Sequence, residues 1–215
     1  PQVAPGICYG ALDVPADPAA TRAAAERLAA ALPARARVFY STLQRCEQLA
    51  LALQALRPDL TAIPDPRLRE MNFGIWEGRA WNDIGRDAID AWAAAFAHYR
   101  PGDGESLAAV LARVAAALQD HGRAATSEPP AATPQELVWI THAGVIRSVA
   151  WMRAHGGAAH PMAAAWPRAA PGWGEWEVMD LGPAVQASAG QAANNSWDGP
   201  GGGDGGLTGP AEPPS

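Results

Sequence analysis

A chain of 215 residues with a formal charge of −6 is long enough for one sizeable core and too acidic for a nucleic-acid-binding surface. All 16 basic residues are arginine, which, with the heavy Ala, Gly and Pro content, reads as a coding bias that still leaves room for a local arginine pocket. No apolar stretch approaches the roughly 20 residues that span a bilayer, and no signal peptide is visible, so the expected location is cytoplasmic.

The chain opens at Pro1 in a loop-like stretch with no strand ahead of it. Gly6 to Asp17 reads as a loop holding Cys8, Tyr9, Gly10 and Asp13. Pro18 to Leu32 is Ala-rich with Pro at its start and predicts a helix. Val38 to Tyr40 is a short strand. Thr42 to Leu56 predicts a helix, with Leu43, Cys46, Leu49, Ala50 and Leu53 at helical spacing and Ser41 as its N-cap. Leu60 to Ile63 is a short strand stopped by Pro64 and Pro66. Arg67 to Arg79 has no period. Trp81 to His98 predicts a helix. Glu105 to His121 predicts another, with Leu107, Val110, Leu111, Val114 and Leu118 on one face and Glu105 in its first turn. Thr126 to Pro134 is a Pro-rich loop. Leu137 to Thr141 is a strand, Val145 to His155 a helix, and Trp176 to Leu181 a last strand. The alternation predicts an α/β fold, a three-layer α/β/α sandwich around a mostly parallel sheet, over residues 1–181. From Gly182 onward nine Gly and five Pro predict a disordered tail, residues 182–215.

Val138-Trp139-Ile140-Thr141-His142 carries the clearest chemical signal. A buried strand there delivers a histidine to the carboxyl edge of a sheet, where open α/β folds bind ligands. Ala143 and Gly144 then open a helix whose free N–H groups favour an anion. Val38-Phe39-Tyr40 followed by Arg45 repeats the shape. Taken singly, His142 fits a structural role better than a catalytic one, and Arg45 an ordinary surface position on a helix. The segment from Leu68 to Gly78 packs two acids, two aromatics and two glycines into a stretch without period, which suits a functional loop or a covering loop whose aromatics plug the core. His98, His121, His155 and His160 show no metal spacing, and Cys8 and Cys46 neither a metal spacing nor a disulfide framework. They read as surface or satisfied side chains and as reduced buried thiols.

Together these pieces form an ordered series. Tyr9-Gly10 with Asp13, Ser41-x-Leu43-x-Arg45, Leu68-x-Glu70-x-x-Phe73-Gly74-x-Trp76-Glu77-Gly78, Gly104-Glu105-Ser106 and Thr141-His142-Ala143-Gly144 follow one another along the chain. The order and spacing resemble the histidine phosphatase superfamily, with its phosphoglycerate-mutase-like fold, and within it the small bacterial branch that includes α-ribazole phosphatase. The resemblance implies a metal-independent, cofactor-free phosphomonoesterase that acts on a small phosphorylated metabolite through a phosphohistidine. It implies that Arg45 clamps phosphate, that Glu70 donates and accepts the proton, and that His142 bonds the phosphoryl oxygens. Tyr9 and Gly10 would flank the substrate, and the N–H groups of Ala143 and Gly144 would add contacts. Trp76 and Trp81 are the aromatics expected against the substrate, whereas Trp92 and Phe96, four apart, are expected to pack the helix that carries them. Glu77 is expected to brace its loop.

Members of the superfamily carry their nucleophile in an Arg-His-Gly or Arg-His-Pro signature at the end of the first strand. Pro1 stands where the residue after that histidine belongs, so the signature and its strand are expected ahead of Pro1, cut from this chain. On that reading Pro1 to Ser215 alone is inactive, and two strand edges are left unpaired. The alternatives are a broad-specificity phosphatase and a catalytically dead module that binds a phospho-ligand. A phosphoglycerate mutase fits less well, because Trp81 to Gly104 is short for the lid such enzymes use.

Overall fold

The computed structural model describes residues 1–126, 136–156 and 160–180. In chain order it forms α1 (Pro18–Ala31), β1 (Arg37–Tyr40), α2 (Gln44–Leu56), β2 (Ala62–Pro64), α3 (Arg86–Ala94), α4 (Leu107–Thr126), β3 (Leu137–Ile140) and α5 (Ala143–His155). Short 3₁₀ turns fill the stretches around residues 66–68, 74–76, 81–83 and 101–103. The three described strands form a parallel sheet in the order β2-β1-β3. Of the predicted loop Thr126 to Pro134, Thr126 instead ends α4 and the rest lies outside the described residues, as do the tail from Gly182 and the domain end at Leu181.

Side-chain alternation along the strands creates the three layers. Val38, Tyr40, Val138 and Ile140 face a cluster with Leu28 of α1 and Cys46, Ala50 and Leu53 of α2. Phe39, Leu137 and Trp139 face the other way, onto Val110, Val114 and Ala117 of α4 and Val145, Val149 and Met152 of α5. A period of two splits each strand between the two cores. A third cluster, Cys8, Trp76 and Ile84 with Trp81 and Trp92 packed against it, roofs the carboxyl end of the sheet.

β1 is paired on both sides, Tyr40 with Pro64 and with Ile140, and the outer edges of β2 and β3 have no strand partner among the described residues. Several expectations are corrected. β2 runs through Pro64 instead of stopping before it; proline is tolerated there because β2 is an edge strand. Ser41 does not cap α2. Leu43 holds the cap position without a side-chain bond, and Asp13, reaching in from the N-terminal loop, accepts the Gln44 N–H at 2.8 Å. The helix expected over Trp81–His98 shortens to Arg86–Ala94, because Trp81–Asp83 closes as a separate turn before Gly85. Glu105 lies ahead of α4 and not in its first turn; its carboxylate binds Arg113 at 2.7 Å. Residues 176–180 form no strand: Trp176 and Val178 are exposed, and Glu175 closes a turn onto the Gly172 carbonyl. This last segment runs back across the molecule, with the Gly174 carbonyl held by Arg27 at 3.0 Å.

One buried polar network ties β2, β3 and α4. His121 stacks on Phe39 with ring centroids 3.5 Å apart. The Trp139 indole N–H donates to its Nδ1 at 2.9 Å. Indole only donates, so Nδ1 is the acceptor and the proton sits on Nε2. Nε2 lies 3.0 Å from Asp65 Oδ2. Burial, ahead of the opposing pull of Asp65, holds the His121 pKa below its ordinary 6.5. The unfolded chain therefore binds a proton near pH 6.5 that the native state refuses. The resulting stability is present above pH 6.5 and is lost as the pH falls from there toward the folded value, at a slope of up to about 1.4 kcal/mol per pH unit. Urea unfolding between pH 7.5 and 5 should show this decline, and His121→Gln should flatten it; an equal slope in both proteins would refute the assignment.

Candidate functional site

The site forms where the carboxyl ends of β1 and β3 meet the loop after β2. β3 ends at Ile140, and His142 takes the N-cap position of α5 in extended conformation. Its ring is buried, with Nε2 at 2.7 Å from Ser41 Oγ and 3.5 Å from Cys46 Sγ. Burial first, then the charges of Arg45, Arg113 and Arg69, push its pKa well below 6.5. The imidazole is neutral at physiological pH. Cys46 is a free thiol, and burial raises it to about 12, so it contributes no thiolate. Cys8 is also free and buried.

Glu70 sits across from His142. The loop that carries it is held at three points. Thr141 Oγ1 donates to the Leu68 carbonyl at 2.7 Å. Arg113 Nη1, on α4, donates to the carbonyls of Arg67 and Arg69 at 2.6 and 2.7 Å. The remainder of the Arg113 fork binds both oxygens of Glu105. The Glu70 side chain then docks on the start of α5, where Oε2 accepts the Gly144 N–H at 3.0 Å while Oε1 accepts from Met71 N–H at 3.0 Å. A helix N-terminus favours such an acceptor. Glycine at 144 leaves room for this contact, since a Cβ there would push the Glu70 carboxylate aside.

Arg45 lies on α2 beside the N-terminal loop. Its Nη2 donates to the Gly10 carbonyl at 2.7 Å and its Nη1 to the Leu12 carbonyl at 2.9 Å. Its guanidinium carbon stands 5.5 Å from the centre of the Tyr9 ring. Gly10 is pinned between Arg45 and the second loop, since a Cβ on it would meet the Met71 carbonyl. Glu77 braces the same junction, with Oε1 accepting from Ala11 N–H at 2.9 Å and Phe73 N–H at 2.8 Å. Cys8 exchanges backbone bonds with Gly78 and Arg79 at 2.8 Å.

The expected residues therefore fall into two groups. Glu70, Ala143, Gly144 and His142 meet at the head of α5. Tyr9, Gly10 and Arg45 form a neighbouring cluster, and Arg45 is linked to His142 by its charge. Trp76 is buried in the roof against Trp92 and Tyr99. Trp81 packs edge-on to Phe73 and flat on Trp92.

A cavity of about 400 Å³ opens beside Glu70. Gly144 shares its wall with Glu70, and Trp92, Phe96, Trp166 and Arg147 complete much of the remainder. Trp92 and Phe96 thus face the cavity, where Trp76 and Trp81 were expected against substrate. Arg69 and Arg113, which bear on His142 and on the Glu70 loop, were not singled out from the sequence, because their effects arise only through long-range packing. Among the described residues no cluster of three or more His, Cys, Asp or Glu is placed to hold a metal. No described helix is long and apolar enough to cross a membrane.

The model of the histidine phosphatase superfamily (branch 1) matches residues 4–169. Among solved structures, the chain resembles mycobacterial glucosyl-3-phosphoglycerate phosphatase at 29% identity, covering 67% of this chain and 70% of that one with a TM-score of 0.56. It resembles TTHB049 from Thermus thermophilus at 30% identity, over 69% and 76% of the two chains, with a TM-score of 0.50. It also resembles mycobacterial hydrolase 1 at 25% identity, over 71% and 73%, with a TM-score of 0.59. A comparison with curated proteins finds no match.

The Glu70–Gly144 contact predicts a specific non-additivity. Gly144→Ala should destabilise the protein by about 1–3 kcal/mol, because the new methyl displaces a wedged carboxylate. In a Glu70→Ala background the same change should be neutral or mildly stabilising, as alanine is the better helix former. Denaturant unfolding of the four proteins measures the coupling, and an equal cost in both backgrounds would disprove the wedge.

Proposed function

The chain belongs to the histidine phosphatase superfamily, and from that premise we propose that it serves as a cytoplasmic, metal-independent phosphomonoester hydrolase. The observation that carries this reading is Glu70 docked on the head of α5, two residues beyond His142, with a cavity beside it.

In the proposed mechanism the attacking imidazole is that of the superfamily's Arg-His signature, a pair that residues 1–215 do not contain. It attacks phosphorus in line, a phosphorus–nitrogen bond forms, and the ester phosphorus–oxygen bond breaks. Glu70 gives its proton to the departing oxygen. Water then attacks the phosphohistidine, Glu70 takes the proton from that water, and inorganic phosphate leaves. General acid and base help of this kind contributes roughly 10²–10⁴-fold. His142, neutral through burial, donates a hydrogen bond to a phosphoryl oxygen from one ring nitrogen. Arg45 reaches the same oxygens by exchanging its bonds to Gly10 and Leu12 for phosphate, a charge-assisted and therefore stronger pairing. The Ala143 N–H adds a backbone donor; that of Gly144 is committed to Glu70.

For the substrate we propose α-ribazole 5′-phosphate, a nucleotide-like monoester with a flat base. Aromatic lining in the cavity beside Glu70 supports a flat leaving group. Glucosyl-3-phosphoglycerate, the substrate in the name of one structural relative, is the natural competitor. A preference below tenfold in kcat/KM, about 1.4 kcal/mol of transition-state discrimination, would leave a broad-specificity phosphatase.

Two measurements test the reading. Glu70→Gln should slow hydrolysis of alkyl phosphates by 10²-fold or more and of p-nitrophenyl phosphate far less, because nitrophenolate leaves without a proton. Equal slowing of both would remove Glu70 as the acid. Residues 1–215, which contain no Arg-His pair, should show no turnover, while a chain that also carries the superfamily's Arg-His signature should hydrolyse p-nitrophenyl phosphate. Inactivity of the latter would favour a module that only binds its phospho-ligand.

A further inference from the structure

Ser41 opens the Ser41-x-Leu43-x-Arg45 motif, yet it does not cap α2 and does not line the cavity beside Glu70. It is wholly buried just past the end of β1, where its backbone N–H continues the ladder to the Ile140 carbonyl at 2.9 Å. That bond sets Ser41 beside His142, two residues after Ile140. Ser41 Oγ lies 2.7 Å from His142 Nε2. A ring turned over would put a carbon at that distance, so the contact identifies the nitrogen.

A buried hydroxyl has to place its own proton, and the neighbours leave few choices. The Leu43 N–H donates to Ser41 Oγ at 3.3 Å, which uses the oxygen as an acceptor. The Cys46 thiol donates to the Thr141 carbonyl at 3.7 Å. The Ser41 proton and the His142 Nε2 lone pair are then left facing each other. With the hydroxyl donating to Nε2, each of these donors has an acceptor and none is left over. In the reverse arrangement Nε2–H would donate to an oxygen already accepting from Leu43, and the hydroxyl proton would turn to the Cys46 sulfur, a weak acceptor. The first arrangement is the stable one. Burial and the neighbouring arginines hold the ring neutral, so it carries a single proton, and that proton is on Nδ1.

We propose that Ser41 is a positioning residue that sets the tautomer of His142: its hydroxyl donates to Nε2 and thereby fixes the ring proton on Nδ1. In a neutral imidazole only one nitrogen donates. The proposal rests on the phosphatase reading for the use of that donor alone. If His142 bonds a phosphoryl oxygen, it does so from Nδ1, because Nε2 is already taken. The tautomer itself is a property of the folded chain, with or without turnover. Without the hydroxyl, the ring would drift toward the Nε2–H form that free imidazole side chains favour, with Cys46 Sγ at 3.5 Å as the acceptor left within reach.

Ring-nitrogen NMR reads the tautomer directly, because a protonated ring nitrogen and one bearing a lone pair resonate far apart. In isotope-labelled Pro1–Ser215 at pH 7.5, the signals lost in His142→Gln identify His142. They should show the proton on Nδ1 in about tenfold excess or more over Nε2. Ser41→Ala should cut that excess by about tenfold. Ser41→Thr, which keeps the hydroxyl, should retain it, and Cys46→Ala should leave it unchanged. A buried serine that merely filled space would leave all of these proteins alike. An Nε2–H tautomer in the parent chain, the parent's tautomer in Ser41→Ala, or its loss in Ser41→Thr or Cys46→Ala would each overturn the proposal. Unfolding curves show whether each variant is folded; if Ser41→Ala is not, Ser41→Cys, whose thiol is a weak donor, takes its place with the same expected shift. Hydrolysis plays no part in the readout. A chain that carries the Arg-His signature and still never turns over a phosphate ester would refute the phosphatase reading and leave the Ser41 assignment standing.

Discussion

Everything at the site depends on one close approach, the Glu70 carboxylate against the backbone of α5 at Gly144. A helix start offers unpaired N–H groups and a positive dipole end, and an acid is the natural partner. Glycine at 144 leaves the carboxylate room for contact at 3.0 Å. The same peptide region carries His142, so one helix end fixes the relative position of the acid and the imidazole. Neither group sits on a flexible arm. Glu70 is on a loop, but Arg113 and Thr141 hold the carbonyls of that loop from two other elements. The loop behaves as part of the scaffold.

Charge is arranged around the same helix end. The protein is acidic overall, yet Arg45, Arg69 and Arg113 converge on His142. Their first effect is to keep the ring neutral, adding to what burial already does. A neutral imidazole among arginines is a donor and acceptor poised beside an anion site, while the arginines supply the charge. His121 is neutral for a different reason. Burial outweighs the Asp65 attraction, and the Trp139 indole occupies the nitrogen a proton would need. One histidine lies at the head of α5 with Glu70 and the other between Phe39, Trp139 and Asp65, and the difference lies in what surrounds each.

Much of this was legible in the residues before the fold was known. The period of two in Val38-Phe39-Tyr40 and Leu137 to Ile140, and the apolar spacing of α2 and α4, are local signals with direct structural meaning. His142 and Arg45 could be placed at one sheet edge because both follow short strands. What escaped were interactions with no sequence proximity. Asp13 caps α2 from 31 residues away. Glu105 turns to Arg113 instead of the helix dipole. The stretch 176–180 has a strand's composition, but apart from Met179, which packs on the core, its side chains are exposed, and no ladder receives it among the described residues. Composition reports a preference, and a strand also needs a neighbour.

The tryptophans show the same limit from the functional side. Trp76 lies inside the motif and Trp81 three residues beyond its end, which is why they drew attention. Trp92 and Phe96 are four apart on one predicted helix, which reads as ordinary packing, and they do pack: Trp92 touches Phe73, Trp76, Trp81 and Phe96. Trp92 lies on α3, whereas Phe96 falls beyond the helix end at Ala94, in the turn that follows, and stacks on Trp92 from there. Spacing is silent about whether the space these rings face is filled. Here it is a cavity, lined also by Trp166 from a segment that joins only in the folded chain. A ring can be core on one face and cavity wall on the other, and Trp92 is both, lining the cavity while stacking flat on Trp81.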